Sequence, residues 1–99
     1  MLRVTRRDEL NAIDFKLEGK LTGSWVEVME QAWSQALQES GGKPIRVDLT
    51  AVTYVDARGL ELLGQIYRGG ATLHATTCLA KGIVEDIQSR NGEPAKARQ

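Results

Sequence analysis

The residues best suited to chemistry or recognition lie in one stretch, IRVDLTAVTYVDARGLELL, which runs from Ile45 to Leu63. Its central feature is Asp56, directly after a strand-like segment and directly before a leucine-rich helical segment. An aspartate at this point caps a helix, because its carboxylate accepts hydrogen bonds from the first backbone N–H groups and is favoured by the helix dipole. We therefore interpret Asp56 as the N-cap of a helix.

Two residues in the first turn of that helix each allow two interpretations. Arg58 places a cation where it opposes the helix dipole by about 0.3 to 1 kcal/mol. It is either a partner-binding residue or an ordinary exposed residue of a good helix-forming type. Gly59 either permits a close approach between the helix and its neighbour or supplies backbone freedom, and packing is the better interpretation.

Hydroxyl groups precede Asp56 at Thr50, Thr53 and Tyr54. We expect Thr50 to hydrogen-bond locally in a turn between the strand and the helix. Thr53 is a weak alternative as a phosphorylation site, and a solvated turn threonine is the stronger interpretation.

The sequence offers little for catalysis. His74 is the only histidine and Cys78 the only cysteine, and neither lies near a second group that would make a metal site or a redox pair. The glycine pairs lack the pattern of a phosphate-binding loop, and no nucleophile-elbow sequence is present. We predict that the protein is not an enzyme and has no catalytic residues, no metal site and no cofactor.

Hydrophobic periodicity predicts the elements that position these residues. Strands are predicted at residues 2–4, 13–17, 45–49 and 71–76, and helices from Ser24, from Asp56 and around Ile83. Gly19 would follow the second strand. The order β-β-α-β-α-β-α predicts an α/β fold with a mixed sheet, in which an antiparallel hairpin is followed by parallel strands.

The first helix has a predicted cap and a predicted apolar stripe. Ser24 and Glu27 have the spacing of a capping box, in which each side chain bonds the backbone N–H of the other. Apolar residues recur at every fourth position, and Gly41-Gly42 ends the helix. The predicted core residues of the first two helices are Met29, Trp33, Leu37, Leu60, Leu63 and Ile66.

Composition limits the possible functions of the chain. It has 99 residues, suited to one domain, and its 13 basic and 13 acidic residues give a formal net charge of zero. This balance argues against nucleic acid as a partner, and no apolar run is long enough for membrane insertion. The amino terminus lacks a secretory signal pattern, so we expect a cytoplasmic protein. We predict one domain at residues 1–90 and a flexible tail at 91–99.

The segment VDLTAVTYVDARGLELL resembles the signature of the STAS domain family, which includes anti-sigma factor antagonists. The resemblance covers roughly residues 2–89, and it implies the STAS fold and a non-catalytic protein-interaction module. In that family the residue after the aspartate is often a serine or threonine, and its phosphorylation switches a partner protein on or off. The corresponding residue here is Ala57, so the resemblance implies that this switch is missing.

The resemblance also implies where a partner binds and what it is. The expected partner-binding residues are Tyr54, Asp56, Ala57, Arg58 and Gly59. One implied partner is a kinase-fold anti-sigma factor. The alternative is the nucleotide-binding subunit of a lipid-transport ABC complex, on which a small STAS subunit docks. A homodimer is also compatible with the sequence.

Overall fold

Four strands and three helices follow one another in the predicted order in a computed structural model that describes residues 1–75 and 78–91. The strands are β1 (Leu2–Asp8), β2 (Ile13–Leu21), β3 (Ile45–Val55) and β4 (Thr72–His74). The helices are α1 (Ser24–Glu39), α2 (Ala57–Arg68) and α3 (Cys78–Asn91). The predicted α/β fold is therefore confirmed.

The strands form one mixed sheet in the order β1-β2-β3-β4. β1 pairs with β2 in antiparallel fashion, and β2, β3 and β4 run parallel to one another. Because β2 and β3 are parallel neighbours, their carboxyl ends lie at the same edge of the sheet. Both α1 and α2 therefore begin at that edge.

One face of the sheet is apolar and is covered by the helices. In β2, Ile13, Phe15 and Leu17 are buried, whereas Lys16 between them is exposed. α1 contacts β2, α2 and α3 contact β3, and α2 packs against both other helices. The buried core of this layer includes Phe15, Leu17, Met29, Val47, Leu49, Leu63 and Ile66.

The buried stripe of α1 differs from the prediction. Its buried residues are Val26, Met29, Trp33 and Ala36. The prediction that Leu37 is a core residue is wrong, because Leu37 is 47% exposed. A repeat of four residues advances 400° around a helix with 3.6 residues per turn, so it drifts about 40° at each step and leaves the buried face within the helix.

β3 is longer than predicted. The prediction of a turn between Leu49 and Asp56 is wrong, because β3 continues to Val55 and pairs with the extended end of β2. Gly19 accordingly lies inside β2 rather than after it, with a φ of +104° beside irregular strand pairing. Thr50 is a strand residue, although its backbone N–H does bond locally, to Asp48 Oδ1 at 2.9 Å.

The C-terminal elements agree with the prediction in type and differ in length. β4 contains three residues instead of the predicted six, with Leu73 buried. Thr76, the predicted end of that strand, lies outside the described residues, as does the predicted tail from residue 92 onward. Within the described ranges, no helix is long and apolar enough to span a membrane.

Candidate functional site

Asp56 joins the starts of the two helices at the carboxyl edge of the sheet. Its Oδ1 atom accepts a hydrogen bond from the backbone N–H of Gly59 at 2.7 Å, which caps α2 as predicted. Its Oδ2 atom accepts a second bond from the backbone N–H of Gly23 at 3.0 Å, directly before α1. The backbone N–H of Asp56 donates to the carbonyl oxygen of Leu21 at 3.2 Å. The side chain of Asp56 therefore joins the starts of both helices, and its backbone N–H ties them to the end of β2.

These bonds stabilise the ionised form of Asp56. The pKa of its carboxyl group is lowered, first by the hydrogen bond from the Gly23 N–H and next by that from the Gly59 N–H. The positive charge of Arg58 acts in the same direction and is a smaller cause. The carboxylate is thus occupied by backbone donors and acts as a structural anchor.

The predicted capping box of α1 does not form, and that prediction is wrong. The N-cap residue is Gly23, with a φ of +57°, and no side chain caps the helix. The Gly23 N–H is bonded to Asp56, and this geometry starts α1 without a contribution from Ser24. Glu27 instead lies 3.7 Å from Arg58, measured from Oε2 to Nη2.

Gly59 lies where only a glycine fits without rearrangement. A Cβ atom at this position would be 2.7 Å from the carbonyl oxygen of Leu21 and 2.7 Å from Val55 Cγ1. Gly59 is buried, so the packing interpretation of this residue agrees with the structure. The absence of a side chain lets the first turn of α2 lie directly on the ends of β2 and β3.

Three of the predicted partner-binding residues are exposed on either side of Asp56 in the chain, one at the end of β3 and two in the first turn of α2. We call Tyr54, Ala57 and Arg58 the α2-start surface. All three are exposed, and Tyr54 is one of the most exposed large hydrophobic residues, with 56% of its surface accessible. The other two predicted residues, Asp56 and Gly59, lie beneath the surface and hold it in place.

The remaining candidate groups are spread over other parts of the molecule. Thr53 is exposed, and its hydroxyl donates to the carbonyl oxygen of Gly19 at 3.2 Å. His74 is exposed on β4, on the sheet face opposite the helices. No group of His, Cys, Asp or Glu side chains within the described ranges could hold a metal ion.

The sequence analysis missed the contact between Asp56 and Gly23 and the ion pair between Glu27 and Arg58. A signal for the first was present, because Gly23 follows β2 and Asp56 follows the neighbouring parallel strand. Residues that follow neighbouring parallel strands lie at one edge of a sheet. The second could not be read from either helix alone, since it depends on how closely α1 and α2 pack.

A protein-family model described as "Mlab, STAS domain" matches residues 4–79. The chain belongs to the STAS domain family. No curated protein matches this STAS domain. The resemblance seen in the sequence is therefore confirmed at the level of the family.

Solved structures with this fold are similar to the STAS domain described here. An anti-sigma factor antagonist from Mycobacterium paratuberculosis superposes with a TM-score of 0.72 at 15% identity, covering 91% of this chain and 82% of that one. The unphosphorylated anti-sigma factor antagonist SpoIIAA gives a TM-score of 0.59 at 14% identity, covering 89% and 98%. An uncharacterized SpoIIAA-like protein from Shewanella loihica gives 0.59 at 16% identity, covering 93% and 80%.

These likenesses establish the fold of the STAS domain. At such low identities they do not carry over individual residue roles. The STAS fold of anti-sigma factor antagonists is generally a non-enzymatic interaction module.

Proposed function

We propose that this STAS domain is a non-catalytic module that binds another protein through the α2-start surface. The observation that carries the proposal is the exposure of Tyr54, Ala57 and Arg58 on either side of Asp56, whose carboxylate bonds backbone groups at the starts of α1 and α2. Tyrosine and arginine are enriched among the residues that contribute most to protein–protein binding. A surface that is already rigid loses little conformational entropy when a partner binds.

The first candidate partner is a kinase-fold anti-sigma factor. The fold shared with two anti-sigma factor antagonists supports this candidate. Because Ala57 has no hydroxyl, the domain would bind constitutively and would be regulated by its abundance or by another subunit. We propose that this binding takes place in the cytoplasm.

The second candidate partner is the nucleotide-binding subunit of a lipid-transport ABC complex. One observation favours it: the family model that matches is described as a Mlab STAS domain, not as an anti-sigma factor antagonist. The α2-start surface would then brace or regulate the ATPase subunit. Co-purification from the native cell distinguishes the candidates, because one predicts a histidine-kinase-fold protein and the other predicts ATPase and permease subunits.

The proposed surface is tested by calorimetry with the partner that co-purification identifies. Tyr54→Ala is expected to weaken binding at least about tenfold, as for a central interface aromatic residue. Leu10→Ala is the matched control, because Leu10 is 90% exposed and lies in the β1–β2 connection, at the opposite end of β2. Equal affinities for the two variants and the unmutated chain would place the partner surface elsewhere.

Two charge variants test the same surface in a different way. Arg58→Glu reverses a charge at the contact while favouring the helix dipole, so binding should weaken and folding should be kept. Ala57→Asp places a negative charge at the start of α2 and partly imitates a phosphate. Intact-mass analysis after incubation with a kinase-fold partner should show no stoichiometric phosphate at Thr50 or Thr53, and a full phosphate at either would contradict constitutive binding.

A further inference from the structure

The sheet face opposite the helices is not covered by any element in the described part of the chain. Parallel strands are usually covered on both faces, whereas β2, β3 and β4 are covered on one. The side chains on the open face are polar or charged. They surround a shallow cavity of about 460 Å³ that extends across all four strands. The cavity is lined by Thr5, Arg7, Asp14, Phe15, Lys16, Arg46, Asp48, Thr72 and His74.

Four charged residues form a square at the centre of this face. Asp14 and Lys16 lie on β2, and their register partners on β3 are Arg46 and Asp48. The guanidinium of Arg46 bonds Asp14 in a bidentate manner, with distances of 2.6 Å from Nε to Oδ1 and 2.9 Å from Nη2 to Oδ2. The sign of the charge alternates both along each strand and from one strand to the next.

This alternation makes the square complementary to itself. Two copies can pack with their open sheet faces together, related by a two-fold axis that runs parallel to the strands and midway between β2 and β3. In this arrangement β2 of each copy lies opposite β3 of the other. Each Asp14 then lies opposite Arg46 of a second copy, and each Lys16 lies opposite Asp48 of that copy. The same axis places all four strands over the four strands of the second copy, so the faces overlap across their whole width.

We propose that the open sheet face is a homodimerisation surface, on which a second copy of this chain packs face to face about that axis. Outside the square, Thr5 would face His74 of the second copy and Arg7 would face Thr72 of the second copy. At these facing positions, no two like charges lie directly opposite each other. Ala57 and Arg58 lie in α2, on the helix side of the sheet, and the dimer does not use them, so this inference stands independently of the proposed function.

The expected dimer is weak. In this arrangement the nine residues of β2 face β3 of the second copy and the three residues of β4 face β1, and the reverse contacts repeat this. With strands about 4.8 Å apart and residues about 3.3 Å apart, the overlap is roughly 400 Å² per copy. Stable interfaces bury about 800 Å² per partner. The contacts are also charged and partly hydrated, and fixed charges across an interface provide register and specificity more than affinity. We therefore expect dimers only at high protein concentration and a marked weakening by salt.

Sedimentation equilibrium of the full chain, from low micromolar to about 1 mM, tests the proposal together with two charge reversals. Lys16→Glu places like charges opposite Asp48 of the second copy, and Asp48→Lys places like charges opposite Lys16. Each variant alone is expected to raise the dimer dissociation constant at least about tenfold. In a mixed dimer of the two variants, formed in a 1:1 mixture, the charge introduced at position 16 lies opposite the charge introduced at position 48, which has the opposite sign. The unchanged Asp48 of one variant lies opposite the unchanged Lys16 of the other. The mixture should therefore dimerise about as well as the unmutated chain.

Matched charge reversals on the helix side provide the control. Lys81→Glu and Glu85→Lys change the same charges at exposed positions of α3 and should leave the dimer dissociation constant within about twofold. Circular dichroism verifies that all four variants are folded. A chain that stays monomeric at 1 mM in low salt would overturn the proposal. It would also be overturned if the mixture of Lys16→Glu and Asp48→Lys variants failed to recover dimers.

Discussion

The helices α1 and α2 begin side by side at one edge of the sheet, and they begin in different ways. α2 has a side-chain cap, Asp56, whereas α1 starts at Gly23 with no side-chain cap. The sequence shows an equally good capping pattern at both places. At α1 the backbone N–H groups of Trp25 and Val26 donate instead to the carbonyl oxygens of Thr22 and Gly23. The second carboxylate oxygen of Asp56 accepts from the Gly23 N–H, directly before the helix. A residue distant in sequence therefore holds the turn that begins α1, and backbone carbonyls take the place of a side-chain cap.

The largest expected effect comes from the apolar stripes of the same two helices. Leu63 in α2 is fully buried, so Leu63→Ala should lower the free energy of unfolding by about 2 to 5 kcal/mol. Leu37 in α1 is largely exposed, so Leu37→Ala should change it by less than about 0.5 kcal/mol. Urea unfolding measures both, and similar losses for the two variants would contradict the placement of α1.

A smaller effect is expected from the close approach at the start of α2. Gly59→Ala should destabilise the fold by about 1 to 3 kcal/mol, because its Cβ would overlap backbone and side-chain atoms of β2 and β3. Gly82→Ala is the matched control, since Gly82 lies in α3 with open space around it. That change should stabilise the protein by about 0.5 to 1 kcal/mol. Thermal unfolding should show opposite signs for the two substitutions.

The fold could be predicted well where local patterns carry the information. Alternation in β2 and the Asp56 cap both depend on neighbours in sequence, and both were predicted correctly. The extension of β3 depends on pairing with β2, for example of Val52 with Gly19, and the residues between Leu49 and Asp56 do not by themselves indicate that pairing. The same holds for the candidate site, where Asp56 caps α2 as predicted and its second bond goes to Gly23, which follows the neighbouring strand β2.

The third prediction compares how much the residues at the starts of α2 and α1 contribute to stability. Asp56→Asn removes the charge and leaves one acceptor oxygen for two backbone N–H donors, so one of the two hydrogen bonds is lost. It should destabilise the protein more than Ser24→Ala does, because the Ser24 side chain makes no cap bond. The effect should depend on pH. Since folding lowers the pKa of Asp56, its contribution to stability is present above the unfolded pKa of about 3.9 and is lost as the pH falls through the folded pKa. Asp56→Asn should flatten this acid dependence, as followed by urea unfolding at several pH values.

The smallest effect concerns the ion pair between the helices. Glu27 and Arg58 are both exposed and 3.7 Å apart. A double-mutant cycle with Glu27→Gln and Arg58→Gln should give a coupling energy of about 0.2 to 1 kcal/mol that decreases in high salt. A larger coupling that is insensitive to salt would mean that the two helix starts are joined by this pair and not mainly by Asp56.

One carboxylate, that of Asp56, holds the starts of both α1 and α2 in place. An NMR titration that follows the side-chain carboxyl carbon of Asp56 together with the backbone amides of Gly23 and Gly59 tests it most directly. We predict that all three signals titrate with one midpoint below about 3.9, the ordinary value for aspartate. A midpoint at or above that value, or a Gly23 amide that does not follow the carboxyl group, would contradict the claim.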